Sequence, residues 1–303
     1  MTGFEHTSVM TRQTLELLQP HAGKLYADAT LGGGGHTAAI LDASAPDGRV
    51  VAVDRDLHAV EHARTRLASY GERVQVLHGE FGSLPALLRS AGCTTVDGLV
   101  ADLGVSSPQL DDAERGFAFA QDGPLDMRMD RSRPGSALEL IGQWSEAELA
   151  DVIYQYGEER RSRAVARSIR AAYAAGELRS TADLRRAVVK AIGRPPKSKV
   201  DPATRTFQAL RIAVNRELEQ LELLLQQLPE LLADRAVAVL ISFHSLEDRL
   251  VKHALRADER LSVLTKRPLV ADEVEQSSNR RSRSAKLRAA ARVARAAEGQ
   301  VQP

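Results

Sequence analysis

Tyr26-Ala-Asp-Ala-Thr-Leu-Gly-Gly-Gly-Gly-His36 decides the fold. It reads as a short strand, a loop of four consecutive glycines from Gly32 to Gly35, and a helix opening at Thr37. Such a loop adopts positive φ without steric cost and lets a ligand lie against the backbone, because no Cβ stands in the way. The dinucleotide fingerprint G-x-G-x-x-G fails, since its third glycine would fall on Thr37. No Gly-Lys-Ser/Thr follows, so the P-loop fails as well. Asp28 before the loop and Asp54 beyond it suit a nucleoside-type cofactor that lacks a pyrophosphate, a description that S-adenosylmethionine meets.

Outward from this loop the first hundred residues alternate strand and helix. Strands are predicted at Leu25–Asp28, Val50–Asp54, Val74–His78 and Gly98–Asp102, the βαβ rhythm of a parallel sheet covered on both faces. Asp54 closes an apolar run, where doubly wound folds place a ribose-binding carboxylate. Asp56 reads as the cap of the next helix, Leu57 to Tyr70. Ligands in such sheets bind outside the carboxyl ends of the strands. Here those ends carry Asp28, Asp54, His78-Gly-Glu-Phe81, Asp102 and Ser242-Phe-His244-Ser. Phe81 suits both an adenine-covering and a core-packing role.

After Asp102 the rhythm stops. Residues 103–134 read as loop, and helices follow at Ser136–Gln143, Ser145–Tyr156, Glu158–Ala175 and Thr181–Ile192, ending near the Gly193-Arg-Pro-Pro turn. A run of helices without strand partners implies an inserted subdomain. The sheet is expected to resume after one long helix, Ala203 to about Leu232, with the strand Ala236–Ser242 and a helix capped by Ser245. Weaker strands are expected at Leu261–Thr265 and Leu287–Val293. This gives a sheet domain in two parts, 1–107 and 203–303, around an insertion over 108–202.

Composition fits an intracellular enzyme. The chain has 303 residues, 43% of them hydrophobic, enough to build a substantial core. No apolar run approaches the roughly 20 residues that span a bilayer, and the N-terminus lacks the signature of a secretory signal, so the expected location is the cytoplasm. A single cysteine, Cys93, excludes an internal disulfide and any multi-cysteine metal site, and no metal is expected. The net charge of +1 conceals an asymmetry: residues 151–200 hold twelve Arg or Lys against five acids, and residues 279–303 hold seven against one. Such regions suit a polyanion. Helical spacing places Arg160, Arg163, Arg167 and Arg170 near one face as a candidate RNA-binding stripe, though a solvated face has the same pattern.

Taken in order, several segments resemble the RsmH/MraW family of bacterial S-adenosylmethionine-dependent ribosomal RNA methyltransferases. They are His6-Thr-Ser-Val-Met10, Asp28 to His36, Asp54-Arg-Asp56, Asp102-Leu-Gly-Val-Ser-Ser-Pro-Gln109, Arg115-Gly-Phe-Ala-Phe119, Asp122 to Asp130, Thr204 to Asn215, Ser242 to Asp248, and Asn279 to Arg288. One such segment is weak; the ordered set along nearly the whole chain is specific. Asp201 departs from the histidine frequent in the family at that position. The resemblance implies a Rossmann-like class I methyltransferase domain with a helical insertion. It also implies methylation of N(4) of one cytidine in the decoding region, the P site, of 16S ribosomal RNA, within the small subunit. Carried over by position, the cofactor contacts are Gly34, Gly35, His36, Asp54, Phe81, Asp102 and Gln109.

The chemistry is direct displacement of a methyl group by an aromatic amine. Amino-methyltransferases often carry Asp/Asn-Pro-Pro-aromatic after the fourth strand; this chain has Asp102-Leu-Gly-Val-Ser there instead. Asp102 and His244 are the candidate catalytic residues, with cofactor-amine binding an equal role for Asp102 and loop ordering an alternative for His244. Cys93 precedes the fourth strand, away from the crevice, which disfavours a cysteine-dependent carbon-5 methyltransferase. A nicotinamide-dependent oxidoreductase is disfavoured by the failed fingerprint, and a non-catalytic RNA-binding protein remains a second class. The sequence leaves the oligomeric state open.

Overall fold

The computed structural model describes residues 8–193 and 200–294. His6 and Thr7 of the first family segment, the basic residues over 194–199 and the end of the basic C-terminal run, 295–303, lie outside the described residues. The chain forms two compact units: Met1–Gly104 with Glu219–Pro303, and Val105–Leu218.

The first unit is built on seven strands: β1 Leu25–Asp28, β2 Arg49–Asp54, β3 Val74–His78, β4 Val96–Asp102, β5 Leu232–Ser242, β6 Leu261–Val263 and β7 Lys286–Arg292. Their order is β3-β2-β1-β4-β5-β7-β6. The first five run parallel, and β7 is antiparallel to both β5 and β6. Helices α1 Thr11–Leu18, α2 Gly35–Ala43, α3 Leu57–Arg66 and α4 Leu84–Ser90 precede the insertion.

The apolar runs of the strands follow from burial on both faces. Along β2, Val50 and Ala52 join one core with Leu18, Ile40, Leu41 and Leu67. Val51 and Val53 point the other way and join Leu84, Leu88, Leu224 and Leu228. Each strand residue therefore has a helix to face, whichever side it points to. Gly98 is dictated by close approach: a Cβ there would lie 2.9 Å from the Tyr26 ring.

The second unit carries α5 Ser107–Asp111, α6 Ala137–Gln143, α7 Glu146–Gly157, α8 Ser162–Ala174, α9 Thr181–Ile192 and α10 Thr204–Asn215. Its core gathers Ile141, Leu149, Ile153, Val165, Ile169, Leu184, Val188 and Phe207. Three family segments hold its irregular parts together. Asn215 at the end of α10 accepts the Met129 N–H at 2.8 Å and donates to the Met127 carbonyl at 2.7 Å. Arg115 donates to the carbonyls of Arg128 and Met129. Asp126 pairs with Arg128 at 2.6 Å and with Arg131 at 3.2 Å. The residues 115–130, read as loop, are thus fixed by side-chain bonds in place of ladder bonds, with short turns at Ser107–Asp111 and Ala113–Arg115 before and within them.

The helix expected to run unbroken from Ala203 to Leu232 is two. Arg216 takes a left-handed φ of 50° and ends α10 before α11, Glu217–Leu231, begins. No glycine or proline marks this break, so nothing local in the sequence announces it. Helices α12 Ser245–Ala257 and α13 Glu273–Ser278 complete the first unit.

Asn215→Ala leaves the buried Met129 N–H and Met127 carbonyl without their partner, a loss of about 1–3 kcal/mol. Hydrogen exchange should quicken at residues 115–130 and stay unchanged in β1, β2 and β4. Unchanged protection at Met129 would refute this account of the segment.

Candidate active site

In the first unit, parallel register brings the ends of β1, β2 and β4 side by side. Asp28 lies opposite Ala52 on β2 and Val100 on β4. Asp28 is fully buried, and both its oxygens are engaged: Oδ1 accepts the Thr30 N–H at 3.1 Å, and Oδ2 accepts the Thr37 hydroxyl at 2.7 Å. Thr30 in turn accepts the Asp102 N–H at 2.6 Å. One carboxylate therefore ties strand, loop and helix together. Burial raises its pKa, opposed mainly by His36 and the Thr37 hydrogen bond.

The glycine loop hangs from the neighbouring acid. Asp54 accepts the Gly32 N–H at 2.7 Å and the Asp56 N–H at 2.8 Å, and Arg66 holds the Gly33 carbonyl at 2.6 Å. Asp56 caps α3 by accepting the His58 N–H at 3.0 Å, as its position predicts. Helix α2 opens at Gly35 rather than Thr37, with Gly34 in the left-handed region at φ 79°. A Cβ on Gly34 would meet Leu67 at 3.3 Å, and one on Gly35 would strike the Ser8 hydroxyl at 2.1 Å. At these two positions glycine is required by the turn and by protein packing, not by an open face toward a ligand.

Two family residues meet here with unsatisfied atoms. His36, on the first turn of α2, is 4% exposed, and its Nε2 lies 4.0 Å from Asp102 Oδ2, beyond hydrogen-bond reach. Among the described residues, Oδ1 of Asp102 and both ring nitrogens of His36 are buried with no partner at hydrogen-bond geometry, although the Val9 backbone is close enough to His36 to favour its charged form. Burial lowers the His36 pKa, so the ring is neutral near pH 7, with Asp28 opposing. Burial pushes Asp102 up to about 6; Arg281 opposes, while Glu247 and Glu275 reinforce. Asp54 is pushed up to about 6 by the same cause, opposed by the N–H groups of Asp56 and Gly32. Buried polar atoms left unpaired cost about 1–3 kcal/mol each. A cleft that keeps three of them is suited to a ligand with both donors and acceptors. Asp54 fits the same ligand, since a carboxylate accepts up to about four hydrogen bonds and the backbone uses two of them.

The remaining candidates divide. Phe81 lies on a single turn after β3, packs on the core and stays partly exposed. His244, not Ser245, caps α12: its Nδ1 accepts the Glu247 N–H at 3.4 Å, and its Nε2 lies 3.2 Å from Glu247 Oε1. A histidine nitrogen serves where serine usually does, which is why the sequence pattern points one residue too far. Gln109 belongs to the second unit, where its Oε1 accepts the Ser106 N–H at 2.9 Å and closes a capping box. Sequence reasoning passed over Arg281, whose guanidinium stacks 4.9 Å from the Phe243 ring centre.

The arginine stripe in the second unit is shorter than its spacing suggests. Helix α8 begins at Ser162, so Arg160 precedes it. Arg170 turns inward, donating to the Ile141 carbonyl at 2.6 Å and stacking on Tyr173. Arg163 and Arg167 are exposed, with Arg167 3.4 Å from Glu146. Beside them, α8 and α9 line an open groove of about 1270 Å³ whose lining includes Ala164, Ser168 and Ala171 together with Arg167, Arg179, Arg186 and Lys190. No helix among the described residues is long and apolar enough to cross a membrane.

A parallel sheet in this order with an antiparallel β7, a glycine loop after β1 and an acid closing β2 defines a class I, S-adenosylmethionine-dependent methyltransferase. The chain belongs to the MraW methylase family, whose model matches residues 3–293. It is 57% identical over 291 residues to the "Ribosomal RNA small subunit methyltransferase H" of Sorangium cellulosum (strain So ce56), covering 96% of this chain and 92% of that protein. It is 48% identical to the protein of the same name from Synechococcus elongatus (strain ATCC 33912 / PCC 7942 / FACHB-805), covering 96% of each. The likeness to the one from Geobacter sp. (strain M21) is 45% over 97% of this chain and 100% of that protein.

The raised acids set a pH dependence. A ligand that needs Asp54 and Asp102 as charged acceptors competes with protons below about pH 6, so affinity for S-adenosylhomocysteine should fall as pH drops through 6. The fall reaches about tenfold per pH unit for each group. Folding stability of the ligand-free protein moves oppositely: these groups hold protons that the unfolded chain releases, so their contribution declines as pH rises from about 4 to 6. Asp54→Ala should weaken binding by about 1–3 kcal/mol and remove its share of the slope. Calorimetric titration between pH 5 and 8 measures both effects, and a flat profile would exclude the carboxylate roles.

Proposed function

We propose that this methyltransferase acts on 16S ribosomal RNA of the small ribosomal subunit and methylates N(4) of one cytidine in the decoding region. The observation that carries the reading is the cleft of unpaired buried atoms on His36 and Asp102 beside the glycine loop. The names of near full-length relatives support the RNA substrate. The ordered family segments support the cytidine amine.

S-adenosylmethionine supplies an activated methyl group on a sulfonium. In this reading Asp54 takes the ribose hydroxyls, the backbone of Gly34 and Gly35 borders the ligand, and Phe81 offers its exposed part to the adenine. Asp102 Oδ1 accepts from the amine of the methionine end, with His36 beside it. His244 holds the start of α12 and so orients the end of β5. The target nitrogen is a weak nucleophile because its lone pair is delocalised into the ring. Bringing it to near-attack distance in a cleft closed to water is the main contribution these residues make. The proton leaves readily once the nitrogen is methylated, because an aromatic ammonium is a strong acid.

The inserted unit, 108–202 as read from sequence, is the proposed RNA-recognition element. Arg163 and Arg167 with the basic edges of the α8–α9 groove form its contact surface. Arg170 and Arg160 fall outside the exposed helical stripe. Backbone contacts of this kind help offset the cost of extruding a base.

Two experiments test the reading. Incubation with labelled S-adenosylmethionine and either 16S RNA or small subunits, followed by digestion to nucleosides, should place the label in N(4)-methylcytidine. Label in 5-methylcytidine, or in no nucleoside, would refute it. Neutralising Arg163 and Arg167 together should weaken RNA binding and reduce its salt slope by about one to two units, leaving S-adenosylhomocysteine affinity unchanged. An unaltered slope would place RNA elsewhere on the chain.

A further inference from the structure

The family segment Asn279 to Arg288 has no part in the reading so far, yet one of its side chains stacks on the residue that follows β5. Arg281 lies on the 3-10 turn Arg280–Ser284, just before β7. Its backbone is fixed: the Arg281 N–H donates to Asn279 Oδ1 at 3.2 Å. Its guanidinium stacks on Phe243, the residue that follows β5, with 4.9 Å to the ring centre. Stacking immobilises the plane and leaves the edge N–H groups for a planar anion. One of them, Nη1, is buried without a hydrogen-bond partner among the described residues.

The two other acids that act on Asp102 are already engaged in hydrogen bonds. Glu275 accepts the Met10 N–H at 2.6 Å, and Glu247 accepts the Phe243 N–H at 2.8 Å. Arg281 is near enough to Asp102 and His36 to shift the protonation of both, but forms no ion pair with Asp102. Phe243 lies two residues past Ile241, which pairs with Asp102 in the β4–β5 register, so the unpaired guanidinium N–H and the unpaired carboxylate oxygen belong to neighbouring strand ends.

We propose that Arg281 binds the α-carboxylate of the cofactor's methionine end, while Asp102 Oδ1 takes its ammonium. A zwitterion needs one fixed charge of each sign, and the cleft provides this pair. The assignment rests on the S-adenosylmethionine reading above and adds a residue to it.

The test uses two ligands that differ only in that carboxylate: S-adenosylhomocysteine and its decarboxylated analogue. Calorimetric titrations are made on the full chain and on Arg281→Met and Arg281→Lys, with near-ultraviolet circular dichroism as the control for folding. The unaltered chain should favour S-adenosylhomocysteine by about 10- to 100-fold, the range of a hydrogen bond between charged partners. Arg281→Met should erase that preference while keeping affinity for the decarboxylated ligand, and Arg281→Lys should restore part of it. A preference that survives in Arg281→Met overturns the proposal, as does an equal loss for both ligands, which would make the residue merely structural. An unaltered chain that binds neither ligand would overturn the cofactor reading and this assignment with it.

Discussion

A carboxylate sealed from water at the end of β1 governs the catalytic unit. Asp28 is fully buried, and a buried charge is tolerated only when hydrogen bonds replace its water. The replacements come from Thr30 in the loop and Thr37 in α2, so satisfying Asp28 fixes where the glycine loop begins and where the helix turns back. Thr30 passes the constraint on to Asp102, and Asp54 repeats the device one strand away by holding Gly32. With the strand ends fixed in this way, the unpaired atoms of His36 and Asp102 are held in place instead of relaxing toward one another. His36 Nε2 and Asp102 Oδ2 stay 4.0 Å apart, outside hydrogen-bond reach.

The family segments divide into two physical jobs. Those at strand ends, around Asp28, Asp54 and Asp102, fix the glycine loop and the ends of β1, β2 and β4. Those in the second unit, around Arg115, Asp126 and Asn215, knit together backbone that has no sheet or long helix of its own. A polar residue within a characteristic segment can thus hold irregular backbone in place. Asn215 shows the principle, since its amide closes one N–H and one carbonyl that would otherwise be buried unpaired.

Electrostatics ties the fold to function through desolvation. Asp54 and Asp102 are held near 6 by burial. Arg281, on the turn before β7, moderates Asp102 although it comes after β6 in the chain.

The sequence by itself determined the sheet and its order of elements, because parallel strands buried on both faces leave unbroken apolar runs such as Val50 to Val53. It also marked the acids at the strand ends and the glycine loop, since each is written as a local pattern of a few residues. It could not place the break at Arg216, where a left-handed residue ends a helix without glycine or proline, nor the capping of α12 by His244. Nor could spacing alone tell Arg163 and Arg167, exposed, from Arg170, which turns inward to the end of α6. Tertiary structure decided these points, because whether a polar atom is paired, buried or free depends on which distant segment packs beside it. Arg281 is the plainest instance: its stacking on Phe243 joins residues 38 positions apart in the chain, and no pattern within either segment records that meeting.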